Sequence, residues 1–168
     1  MKASMTHGES IGACVRADFP TKTQPPTSQM FLHGGDCMEC SMLRAELDGW
    51  DAYPTSRSQM SRLWATLGHF SVDGWRWVVS HLLAHALDAE HVSDFRELQW
   101  LVYFLSPPRE AEERALRIVR GLSPQEVNVL ACFLLWLESN QEWNAYAGDN
   151  IEAAREFLGR RLSARHVR

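Results

Sequence analysis

Ser123-Pro124-Gln125-Glu126 packs two helix-start signals into four residues. A serine hydroxyl at the cap accepts from the third helical N–H, and a glutamate at that third position reaches back to the cap. A proline at the first helical position gives up an N–H that would have no partner there. Signals of this kind recur along the chain. Ser56-Arg57-Ser58-Gln59 and Asp94-Phe95-Arg96-Glu97 share the spacing, Ser71 precedes a strong helix signal from Val72 to Leu87, and Ser106 stands before Pro107. Asp36 is placed to cap a helix that closes at Asp48-Gly49, and Asp149-Asn150-Ile151-Glu152 opens the last helix, ending near Leu162. Gly121 stops the helix that follows Pro107. No segment alternates as a strand does. The reading is all-α: a compact bundle of about seven helices, residues 31–168, behind a flexible, weakly ordered segment at residues 1–30.

The apolar spacing names the centre. Trp75, Val78, Val79, Leu82, Leu83 and Ala86 form one stripe on the helix after Ser71. Leu98, Leu101, Val102 and Leu105 form another, widened by Trp100, Tyr103 and Phe104. These two helices and Val127–Glu138 are predicted to sit at the core. The helix after Pro107 carries Glu110–Arg114 and Glu113–Arg117 at i,i+4, so it is expected on the surface, anchored by Leu116 and Val119. In residues 1–30, Ile11, Cys14, Val15 and Phe19 are spaced for one short helix.

Charge is segregated. Residues 36–158 hold 19 acidic and ten basic side chains, whereas Arg160, Arg161, Arg165 and Arg168 make the C-terminal end basic. An acidic body argues against nucleic acid, which needs a basic face. It suits a basic protein partner. The longest apolar stretch, Val127 to Leu137, is too short to cross a bilayer, and no apolar run follows Lys2 as in a secretory signal. A cytoplasmic, reducing setting is expected, in which Cys14, Cys37, Cys40 and Cys132 are thiols or metal ligands.

The densest chemistry is His33-Gly34-Gly35-Asp36-Cys37-Met38-Glu39-Cys40. It offers an imidazole and two thiolates, a donor set that zinc favours in tetrahedral sites. Cys37 and Cys40, at i,i+3 on a first helical turn, can face one ion, and Gly34-Gly35 allows His33 to turn back toward them. The fourth ligand is open at this point. His81 and His85 form an i,i+4 pair, but His81 lies opposite its helix's apolar stripe; His69 has nothing to single it out. The plainer reading is that Cys37 and Cys40 are small buried residues on a face with Leu43 and Leu47, with Glu39 favouring the helix dipole. A thiol-redox centre is a third reading of the same Cys-x-x-Cys.

Seven tryptophans are unusual for this length. Trp77, Trp100 and Trp143 are candidates for exposed interaction anchors. There is no nucleophile elbow, phosphate-cradling loop or His-Glu-x-x-His helix. The functional expectation is a non-enzymatic protein-binding module of the immunity or adaptor type, with a zinc or thiol protein as the alternative.

Asp36-Cys37-Met38-Glu39-Cys40, followed by Leu43, Leu47 and Trp50, resembles the opening of a bacterial domain family of unknown function. Its members begin with His-Asp-Cys-x-Glu-Cys and carry two later helix starts. Phe70-Ser71-Val72-Asp73-Gly74-Trp75-Arg76 and Leu122-Ser123-Pro124-Gln125-Glu126 stand in those places. In this chain Gly34-Gly35 separates the histidine from Asp36, a departure from that motif. The resemblance implies a helical fold over about residues 31–158 and transfers no activity.

Overall fold

The computed structural model describes residues 7–33, 37–48 and 56–163. Most of these residues are helical. The helices are α1 (His7–Asp18), α2 (Thr27–Met30), α3 (Met38–Asp48), α4 (Arg57–Trp64), α5 (Val72–Asp88), α6 (Leu98–Leu105), α7 (Glu112–Gly121), α8 (Pro124–Glu138) and α9 (Gln141–Ser163). Short 3-10 turns occur at Leu67–His69, Val92–Asp94 and Arg109–Ala111. No strand forms among the described residues; a single antiparallel bridge pairs Phe31 with Phe70.

Three of the start signals work as read. The Ser123 hydroxyl accepts from the Glu126 N–H at 3.1 Å, and the Glu126 carboxylate accepts from the Ser123 N–H at 2.7 Å. Ser71 accepts from the Gly74 N–H, and Ser56 from that of Gln59. Two others do not cap. Asp94 lies in a 3-10 turn and α6 starts at Leu98 without a side-chain cap, because Glu97 is engaged by Arg57 instead. Ser106 donates back to the Val102 carbonyl, and the Pro107-Pro108 pair delays α7 to Glu112. α9 is two helical segments joined across a kink at Ala147: the second begins next to the expected Asp149, and the first, from Gln141, was not expected. Asn140 accepts from the Trp143 N–H at 3.0 Å, and Ala147 then leaves helical geometry at φ −143° and ψ 23°. The Asp36 cap and the Gly49 stop lie outside the described residues.

α5, α6, α8 and α9 supply most of the core. α9 runs along both α8 and α6. Trp75, Leu82, Leu101, Phe133, Leu134 and Leu158 are fully buried. Each such side chain contributes on the order of 1.5–3 kcal/mol by leaving water. α7 faces inward through Ala115, Ile118 and Val119, while Leu116 is half-buried. Its predicted Glu110–Arg114 and Glu113–Arg117 pairs do not close among the described residues; Glu113 meets Arg120 at 3.7 Å instead.

The short helix expected around Ile11, Cys14, Val15 and Phe19 is present as α1. α1 packs on α8 and α5. It buries Ile11, Val15 and Phe19, with Cys14 turned outward. Phe19 meets Trp75 edge-on at 6.5 Å. Apolar spacing outweighed the Pro/Thr/Gln content here, because the stripe found a greasy face to cover. No described helix is long and apolar enough to cross a membrane.

Candidate metal centre

Three separate pieces of chain meet beside the Phe31–Phe70 bridge. The Leu32 N–H donates to the His69 carbonyl at 2.9 Å, and the Ser71 N–H to the Met30 carbonyl at 2.8 Å. The Phe31 and Phe70 rings stack at 5.2 Å. This short antiparallel crossing sets His33 beside His69, with ring centroids 6.4 Å apart. A close backbone approach allows it. A Cβ on Gly74 would lie 2.2 Å from the Met30 carbonyl oxygen, so α5 can start against this segment only with glycine there.

α3 delivers the other two ligands. Cys40, Leu43 and Leu47 are buried on one face, as the spacing predicted, and Cys37 is half-buried at the helix start. The Cys40 N–H points at the Cys37 sulfur at 3.5 Å. That contact draws the Cys37 thiol below its ordinary pKa, whereas burial pushes the Cys40 thiol up. The Cys40 sulfur faces His33 Nδ1 at 3.7 Å and His69 Nδ1 at 3.9 Å.

The four ligand atoms of His33, Cys37, Cys40 and His69 all lie within 4.8 Å of one another. Zinc bonds of about 2.3 Å to sulfur and about 2.0 Å to nitrogen give sulfur–nitrogen tetrahedron edges of about 3.5 Å. The two sulfur–nitrogen distances, 3.7 and 3.9 Å, are slightly longer. Two imidazole nitrogens converge on the one buried sulfur of Cys40. A cation with thiolate and imidazole affinity satisfies all of them together. Four protein donors would also close the coordination sphere, which suits a structural site rather than one that activates water.

Two further α3 side chains hold the histidines. Glu39 Oε2 lies 2.9 Å from His69 Nε2. The Arg44 guanidinium donates to the His33 carbonyl and sits over the Phe31 ring at 5.1 Å.

The sequence-predicted ligands His33, Cys37 and Cys40 thus come together, and His69 joins them. His81 and His85 lie elsewhere. His81 Nε2 is 3.3 Å from the Lys22 carbonyl oxygen, and His85 packs on Trp64. His69 had no motif to betray it; only the bridge, paired across 39 positions of sequence, places it here.

The tryptophan expectation needs correction. Trp77 is 1% exposed and Trp143 is fully buried, so neither can anchor a partner on this surface. Both sit on the inward stripes of long helices, and the Trp143 indole donates to the Val92 carbonyl at 2.8 Å. Trp100 keeps 39% of its surface exposed. It is accompanied by exposed Tyr103 and Tyr146. The Tyr103 hydroxyl donates to that of Tyr146, which itself donates to Gln99, and this raises the Tyr103 phenol above its ordinary pKa; Arg96 lies 4.9 Å over the Tyr146 ring.

One polar cleft, lined by Asp18, Lys22, Asp73, Arg76, Ser123 and Glu126, has its arginine committed. Arg76 donates to Glu126, Asp73 and the Gly121 carbonyl.

Comparison with protein-family models, curated proteins and solved structures found no match.

Proposed function

We propose that this chain is a non-enzymatic zinc-binding helical protein, in which His33, Cys37, Cys40 and His69 hold one structural zinc ion. The observation that carries the reading is the convergence of two thiols and two imidazoles within 4.8 Å. The ion would fasten the first turn of α3 to the Phe31–Phe70 crossing. A structural zinc contributes to folding directly, because its ligands are not gathered in the unfolded chain. On this reading the helices close into one compact bundle, with a radius of gyration of about 15 Å. A reducing, cytoplasmic setting would keep both thiols available.

Elemental analysis of protein purified without added metal tests this. One zinc per chain is expected, lost in Cys40→Ser and in His69→Ala. A wild-type chain that purifies without zinc, and does not take it up from a chromogenic chelator, overturns the proposal.

A second reading has its own support: the chain also engages a protein partner. The exposed cluster of Trp100, Tyr103 and Tyr146 on α6 and α9 has the composition of an interface anchor. The acidic body favours a basic partner. Affinity capture with wild type and with a Trp100→Ala, Tyr146→Ala double variant tests it. A partner held by the first and lost by the second supports the reading; a partner held equally by both removes this surface from it.

A further inference from the structure

We propose that Glu39 is a positioning residue for the metal centre, fixing His69 so that Nδ1 faces the two thiolates. This rests on the zinc reading above. An imidazole presents two nitrogens, and only one can face the ion. Which one does so depends on what the other is bonded to. His69 Nε2 lies 2.9 Å from Glu39 Oε2. An ionised carboxylate only accepts, so Nε2 must carry a hydrogen. Nδ1, 3.9 Å from the Cys40 sulfur, is then the atom left to bind the metal.

The plain alternative is a surface ion pair of little consequence. Its exposure agrees with that: the Glu39 side chain is 69% exposed and that of His69 19%. Three features argue for a role at the site. The Glu39 side chain makes no other hydrogen bond or ion pair among the described residues. Glu39 directly precedes Cys40, so the turn that supplies both thiolates also supplies the group that aims the fourth ligand. Lastly, Arg44 on the same helix steadies the backbone of the other histidine. α3 and the residue before it thereby govern all four donors, Cys37 and Cys40 as their own side chains and the two histidines through contacts. Carboxylate–imidazole–metal arrangements of this type orient the ring and raise its basicity.

The test is zinc affinity by chelator competition for wild type, Glu39→Ala and Glu39→Gln, together with 15N spectra of His69. Loss of such a partner weakens metal binding by about 10- to 100-fold. Glu39→Ala should fall in that range. Glu39→Gln should recover much of the loss, since its amide oxygen can still accept from Nε2–H. The zinc-loaded wild type should show its metal-shifted nitrogen at Nδ1. Unchanged affinity in Glu39→Ala, or zinc on Nε2, overturns the proposal. Melting of the metal-free variants at the wild-type temperature separates a positioning effect from misfolding. If wild type binds no zinc, the functional reading fails; the 15N spectra of the metal-free chain still report whether Glu39 sets the His69 tautomer.

Discussion

α8 and α3 are held in place by different physics. α8 buries seven residues of fifteen, including Leu130, Phe133, Leu134 and Leu137, and lies against α9 and α1. α3 buries only Cys40, Leu43 and Leu47 of eleven, and its closest helix is the one-turn α2. Shape and apolar area hold the first; a few directional polar contacts hold the second, and on the zinc reading proposed above an ion completes them. A chain can thus keep a robust interior and a corner whose order depends on chemistry.

The contrast can be broken at the interior. Leu134→Ala should cost about 3 kcal/mol and unfold the whole molecule at lower denaturant, since large-to-small changes in a closed core carry transfer and cavity terms. Denaturant melts followed by circular dichroism check this; a loss confined to α3 would contradict it. Chelation should act at the corner. Zinc at 100 times its dissociation constant adds about 2.7 kcal/mol to the state that binds it. Its removal should raise amide exchange in α3 and at Leu32 and Ser71 well before α8 responds. Uniform acceleration across the chain would mean that the two regions are one cooperative unit.

Acid sharpens the comparison more gently. Burial pushes the Glu97 carboxyl up, but the hydrogen bonds and charge of Arg57 outweigh it and leave its pKa below the ordinary value. The stability from that pair is therefore present above the carboxylate's unfolded pKa and is lost as pH falls through the lowered folded one. An Arg57→Ala chain should show a shallower decline in melting temperature across that acid window. The smallest effect is expected at Trp100→Ala, within about 0.5 kcal/mol in stability, as for surface positions generally. A larger loss by thermal melting would place Trp100 in the core.

The sequence disclosed these two regions unequally. Helix starts at Ser56, Ser71 and Ser123 were legible because a cap is a local event, settled within four residues. The stripes of α5 and α6 were legible for the same reason. Asp94 and Ser106 misled because a competing partner took Glu97 and a proline pair displaced the start of α7. The half-site His33, Cys37 and Cys40 could be read from spacing. His69 and the service of Glu39 could not, since both depend on a crossing between residues 31 and 70. Trp77 and Trp143 went wrong because helical position alone does not say how many faces of a helix its neighbours cover.

Gly74 carries the farthest-reaching consequence. It adds no donor to the four-residue cluster, yet its missing side chain lets the Met30 carbonyl pass within contact of α5. A single methyl there would prise apart the two backbones that bear His33 and His69. On the zinc reading, a chain that retained every donor could still fail to bind, so an inventory of ligands would misjudge such a variant.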